Sequence, residues 1–243
     1  MSAEPDNEDK FIPGIYNYCD RWCERCAFTS RCRVFAMEQE YDLTDNESDL
    51  NNDQFWKRLA GIFADTQVML REKAEEFGID LTNIDHEAIE KEIEERREAV
   101  MNQDLVKLGE KYAKEVSRLL DKDELEIEDT ETVNEMLQII RWYQFMIATK
   151  LFRGSDAQID LEEDDDEDLR ETMLSEKDGS IKVALIATDR SIYAWSGIIS
   201  PANYSEVKPM IELLETIRKK AEKKFPNARD FIRPGFDEIQ AVM

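Results

Sequence analysis

Cys19, Cys23, Cys26 and Cys32 are the only cysteines among 243 residues, and they fall in a single C-x3-C-x2-C-x5-C run. Thiolates are soft ligands. Four of them on one short segment can meet at a tetrahedral zinc ion or take the four corners of an iron–sulfur cube. Either centre would hold together a segment too short to fold by itself, because metal binding free energy becomes folding free energy. Disulfides, the other use of clustered cysteines, need an oxidising compartment. Residues 1–10 carry Glu4, Asp6, Glu8 and Asp9 with no apolar run behind them, and no later run approaches the roughly 20 apolar residues of a bilayer span. The expectation is a cytoplasmic chain without a membrane partner, whose thiols stay reduced and available to a metal.

The stretch Cys23-Glu24-Arg25-Cys26-Ala27-Phe28-Thr29-Ser30-Arg31-Cys32 resembles the C-x2-C-x5-C ending of the [4Fe-4S] loop in DNA glycosylases of the endonuclease III type. It is also similar to the ending found in iron–sulfur nucleases of the RecB class. The resemblance covers this segment alone, and it implies a [4Fe-4S] cluster with Cys19, Cys23, Cys26 and Cys32 as ligands. No helix-hairpin-helix, glycosylase lysine or nuclease carboxylate motif accompanies it, so only the cofactor is carried over. Structural zinc sites more often pair two C-x2-C knuckles across a longer spacer, which leaves Zn2+ as the alternative. Cys19-x3-Cys23-x2-Cys26 has the spacing of radical SAM enzymes as well. There, however, Arg25 stands where that family usually has an aromatic residue, Cys32 would be a superfluous fourth ligand, and no βα barrel follows.

Arg21, Arg25, Arg31 and Arg33 make the cysteine segment the one locally basic stretch of an acidic chain, in which 56 acids face 32 bases for a net charge of −24. Guanidinium groups there can offset the roughly −2 charge of a tetrathiolate centre, or they can pair with acidic helices. Trp22 and Phe28 are expected to anchor the loop to a core. The bulk charge excludes ordinary nucleic-acid binding and favours a basic protein partner.

The elements that must position this segment read as helices. A 42% apolar content with 8 Gly and 6 Pro supports a core but offers few turns for short strands. The expectation is an all-α bundle of about five helices in residues 38–243, behind an N-terminal metal-binding segment in residues 1–37. After a linker at 38–53, where Asn51, Asn52 and Asp53 offer caps, Phe55, Leu59, Ile62, Phe63, Met69 and Leu70 mark a helix over 54–77, with Gly78 as its C′ residue. A long one-sided helix is predicted from near 85 to 120. A third should run from 130 and stop before Gly154. Residues 155–171 carry Asp160, Glu162, Glu163, Asp164, Asp165, Asp166, Glu167, Asp168 and Glu171, a composition that reads as a solvated loop. Helices over 180–199 and 205–225 and an extended tail over 226–243 complete the reading.

Other chemistries were weighed on the same residues. A di-iron bundle needs two histidines, and His86 is the only one in the chain. Glu87, Glu90 and Glu94 share a helical face that their charged neighbours mark as solvated. Asp189-Arg190 interrupts an apolar helix, so Asp189 is expected to be buried and paired with Arg141 or Lys150. No nucleophile with its base and no phosphate-binding or dinucleotide fingerprint is present, which leaves open whether the chain is an enzyme. The functional expectation is a [4Fe-4S] protein with a redox or sensing role. The alternative is an interaction module with a structural zinc site.

Overall fold

A computed structural model of the protein describes residues 10–40, 53–78, 80–81, 85–121, 125–163 and 167–237. Among these are seven α-helices and no strand: α1 (Arg33–Glu40), α2 (Asp53–Glu76), α3 (His86–Met101), α4 (Asp104–Asp121), α5 (Glu131–Glu163), α6 (Glu167–Ile198) and α7 (Tyr204–Lys224). The all-α expectation holds, with seven helices in place of about five. The chain divides into two compact units, one of residues 33–95 and one in which the cysteine segment joins residues from 96 onward.

In the smaller unit, α2 closes on Gly78 at φ 67, the left-handed conformation expected of a C′ glycine. Its apolar stripe is largely uncovered, with Phe63, Met69, Leu70 and Phe77 all exposed. The cap candidates Asn51 and Asn52 lie outside the described residues.

The larger unit is organised by α5 and α6, which pack as an antiparallel hairpin. The register follows from which residues meet across it: Met136 with Gly197, Tyr143 with Arg190, and Gly154 with Ile181. Ile140, Tyr143, Ile147 and Leu151 of α5 face Ile181, Ala184, Leu185 and Trp195 of α6 within one core. α4 adds Leu105, Tyr112, Val116 and Leu119 at three- and four-residue spacing, and α7 adds Val207, Leu214 and Ile217. Trp195 donates its indole N–H to the Tyr112 hydroxyl at 3.0 Å, which satisfies two polar groups inside that core.

Three sequence expectations are corrected here. The helix predicted over 85–120 is two helices, because the chain turns at Asn102 and Gln103 before Asp104 restarts it. Asn102 is a weak helix former, and no glycine or proline announces the break. Gly154 does not end a helix. It is a close-approach point inside α5, where an added Cβ would stand 2.5 Å from Ile181 Cγ1 and 3.1 Å from the Lys177 carbonyl oxygen. The acidic stretch is not a solvated loop either: α5 runs to Glu163 and α6 starts at Glu167, while Asp164, Asp165 and Asp166 lie outside the described residues. Asp156, Asp160 and Glu163 lie on one helical face, and Arg96 reaches all three at 2.7, 2.6 and 3.0 Å. One guanidinium from about sixty residues away offsets part of the repulsion along the end of α5.

The hairpin's dependence on close approach predicts that Gly154→Ala destabilises the protein. The methyl group meets fully buried Ile181, and overpacking of that kind costs about 1 to 3 kcal/mol, more than the gain in helix propensity. Gly61→Ala, where nothing lies within 4 Å, should instead stabilise by up to about 1 kcal/mol. Denaturant midpoints of the two variants should move in opposite directions. A raised midpoint for Gly154→Ala would contradict the packing described.

Candidate metal centre

The cysteine segment has little regular structure beyond three 3-10 turns, Ile15–Asn17, Cys23–Arg25 and Thr29–Arg31. Cys23 opens the second turn, and the Cys26 N–H closes it on the Cys23 carbonyl at 3.1 Å. The Cys32 N–H closes the third on the Thr29 carbonyl at 3.2 Å. Three residues per turn set the C-x2-C pair one turn apart. Between Cys19 and Cys23 the chain reverses at Arg21, whose φ of 56 is the only positive value at a non-glycine among the described residues. Such a conformation costs on the order of 1 to 3 kcal/mol and persists only where its surroundings impose it.

The imposing contact is Asp20. Its carboxylate accepts hydrogen bonds from the Tyr143 hydroxyl at 2.7 Å, from Arg190 at 2.6 Å and from the Trp22 N–H at 3.2 Å. Its carbonyl accepts the Trp142 indole N–H at 2.8 Å. Arg190 also donates to the Tyr143 hydroxyl. Burial, followed by the Asp20 carboxylate beside it, pushes the Tyr143 phenol up to about 12, so it remains a donor at every physiological pH. Trp22 stacks on Trp142 at 4.8 Å with the rings 16° apart, and the Arg25 guanidinium lies over the Trp22 ring 4.0 Å from its centroid. The expectation that Trp22 anchors the loop is met.

The chain's other end completes the seat. Tyr18 meets Phe231 edge to face at 4.7 Å, directly over Gly179, where a Cβ would stand 2.3 Å from the Tyr18 ring. Phe28 meets Phe236 at 5.0 Å, and Gly235 packs beneath Ile12 and Ile15. Lys182 of α6 fastens this tail by donating to the Phe231 carbonyl at 2.5 Å and pairing with Asp237 at 2.8 Å. Arg233 bonds the same carboxylate through its backbone and its side chain.

All four cysteines are half-buried, and none is in a disulfide. Cys19 Sγ donates to the Tyr16 carbonyl at 3.5 Å, and burial raises its thiol above the ordinary value against the opposing pull of the Arg21 backbone N–H and charge. Cys32 is near enough for its charge to act on Cys19. The Phe28 N–H donates to Cys26 Sγ at 3.4 Å. An amide two residues ahead donating to a cysteine sulfur, as Phe28 does to Cys26, is a contact that a metal-bound sulfur also accepts. Among the described residues no three His, Cys, Asp or Glu side chains converge on one ion position. The structure gathers the four cysteines on one docked segment without focusing three of them on a point.

The remaining sequence candidates fall elsewhere. Asp189 is not buried against Arg141 or Lys150: its side chain is 38% exposed and pairs with Arg229 at 2.7 Å and Arg218 at 3.4 Å. The apolar circumference of α6 hid a flank that α7 and the tail cover only in part. Lys150 donates to the Asn17 carbonyl instead, and Arg141 is exposed. His86 and Glu87 open α3, and Glu90 and Glu94 are exposed along it, as the solvated face requires. Asp20, Tyr143 and Arg190 were absent from the sequence reading as a group. Their one visible signal was Arg190, a cation set into an apolar run.

Two outcomes follow. Asp20→Ala strips the acceptor from Tyr143 and Arg190. It should cost about 1.5 to 3 kcal/mol of docking, seen as faster proteolysis within residues 10–32, whereas exposed Glu24→Ala should change little; equal cleavage rates would contradict the anchor. For Asp237, burial would raise the carboxyl, but hydrogen bonds from Arg233 and Lys182 outweigh it and hold the group well below the usual carboxylate range. A carboxylate depressed on folding stabilises above its unfolded pKa of about 3.9, and that contribution disappears as pH falls through the folded value. Acidification below about pH 4 should therefore raise amide exchange in residues 228–237, a response that Asp237→Asn should lack; matching acid profiles would contradict it. Comparison with known protein families, with curated proteins and with solved structures finds no match to this chain.

Proposed function

We propose that Cys19, Cys23, Cys26 and Cys32 hold a [4Fe-4S] cluster and that the protein is a redox or sensing module built around it. The observation that carries this reading is a set of four half-buried cysteines, none in a disulfide, on one docked, turn-rich segment, with the Phe28 amide directed at the Cys26 sulfur. A cube takes one thiolate per iron corner, so its ligands need not meet at a single point, as those of a zinc ion must. The chain's own residues supply the rest. Asp20, Trp22 and Tyr143 fix the backbone on which the cysteines ride, and Arg21 and Lys150 place positive charge beside Cys19. A bound cluster would exchange one electron at a potential set by those hydrogen bonds and charges.

Anaerobically purified protein is expected to be brown, with iron and acid-labile sulfide in equal amounts. Each single Cys→Ser variant should lose most of the colour while keeping the far-ultraviolet signal of the helices, whose core does not involve the cysteines. Full iron content in all four variants, or colourless wild-type protein with one zinc per chain, would overturn the cluster assignment; the second result would support the zinc alternative.

A further inference from the structure

A cleft of about 420 Å³ lies beside Cys19, between the Ile15–Asn17 turn and α5. Helical spacing explains its floor. Arg141, Phe145, Thr149 and Arg153 follow one another at four-residue steps, and Trp142, Met146 and Lys150 form the neighbouring row; Arg21 enters from the loop above. Four of the lining side chains are cations and none is an acid, in a chain where acids outnumber bases 56 to 32.

The charges are not used up by neighbours. Arg153 pairs with Glu176 at 2.8 Å. Arg21 and Arg141 have no acidic partner among the described residues. Lys150, 9% exposed, gives its ammonium one neutral acceptor, the Asn17 carbonyl at 3.0 Å. A buried cation ordinarily sits against an opposite charge, since desolvation is costly when nothing compensates it. Lys150 is the buried cation of the cleft, with Glu176 acting on it through charge alone, and the exposed guanidinium groups of Arg21 and Arg141 face the same concavity, so the cleft presents a surplus of positive charge to a ligand. Trp142 and Phe145 supply an apolar wall beside them, and the volume suits a small molecule.

We infer that this cleft binds a small organic oxyanion, a carboxylate or phosphate on an apolar or aromatic body, with its anionic head on Arg21, Arg141 and Lys150 and its body against Trp142 and Phe145. The guanidinium forks match either head group in two-point hydrogen bonding. The inference does not require the cluster, because every group in it belongs to the polypeptide.

The test titrates the purified protein with 2-naphthoate, with its neutral analogue 2-naphthamide and with inorganic phosphate, by calorimetry and tryptophan emission. 2-Naphthoate should bind saturably at one site per chain, phosphate more weakly and the amide not at all, with affinity falling as salt rises. Arg21→Ala and Arg141→Ala, both exposed and outside the core, should each weaken naphthoate binding about tenfold, whereas Lys111→Ala, at an exposed position of α4, should leave it unchanged. Stronger phosphate than naphthoate binding would remove the apolar body from the assignment. No saturable binding of either anion, equal binding of the amide, or indifference to both arginine changes would overturn the site.

Discussion

One carboxylate carries the cysteine segment. Asp20 lies between Cys19 and Cys23, takes hydrogen bonds from a tyrosine, an arginine and a main-chain amide, and lends its carbonyl to a tryptophan. A segment with three short turns and no helix of its own cannot offset the entropy of ordering its backbone. It must borrow order from a rigid surface. Charge-assisted hydrogen bonds are among the strongest single contacts available for that, and the Trp22–Trp142 stack excludes water beside them. The unfavourable backbone at Arg21 is tolerable because both of its neighbours, Asp20 and Trp22, are pinned.

That rigid surface exists because α5 and α6 approach closely. Gly154 admits Ile181, and Gly179 admits the Tyr18 ring, so the same hairpin that builds the core also carves the seat for the loop. The tail closes the arrangement from the far end of the chain, with Lys182 and Arg233 converging on Asp237. Residues 10–32, 139–153, 179–190 and 228–237 thus form one interdependent patch, although sequence separates them widely. Its two clefts differ in character. One holds Cys26 with paired acids at Asp20 and Asp189, and the other holds Cys19 with four cations and no acid in its lining.

Much of this was legible in the residues. The cysteine spacing located the segment, the three-and-four periodicity placed α2 and α7 within a residue or two, and the apolar density of residues 139–147 marked α5 as central. What could not be read were interactions between distant positions. Arg96 pairs with the acidic end of α5 from sixty positions away, and no local composition reveals it. Gly154 carries the same letter whether it ends a helix or lets another approach. Asp189 was recognised as a charge needing a partner, but its partners, Arg218 and Arg229, lie on α7 and the tail, not on the helix expected. In the sequence Asp20 reads only as a charge opposing the arginines of the segment, and its role as an anchor emerges once its three donors are seen.

The proposed four-iron cluster is tested most directly by the mass of the intact protein. Native mass spectrometry of anaerobically purified chain should show a species heavier than the polypeptide by four iron and four sulfide atoms, converting to the bare polypeptide on exposure to a chelator and oxidant. A purified chain with the mass of the polypeptide alone after reconstitution with iron and sulfide, or with a single zinc retained throughout, would contradict the account.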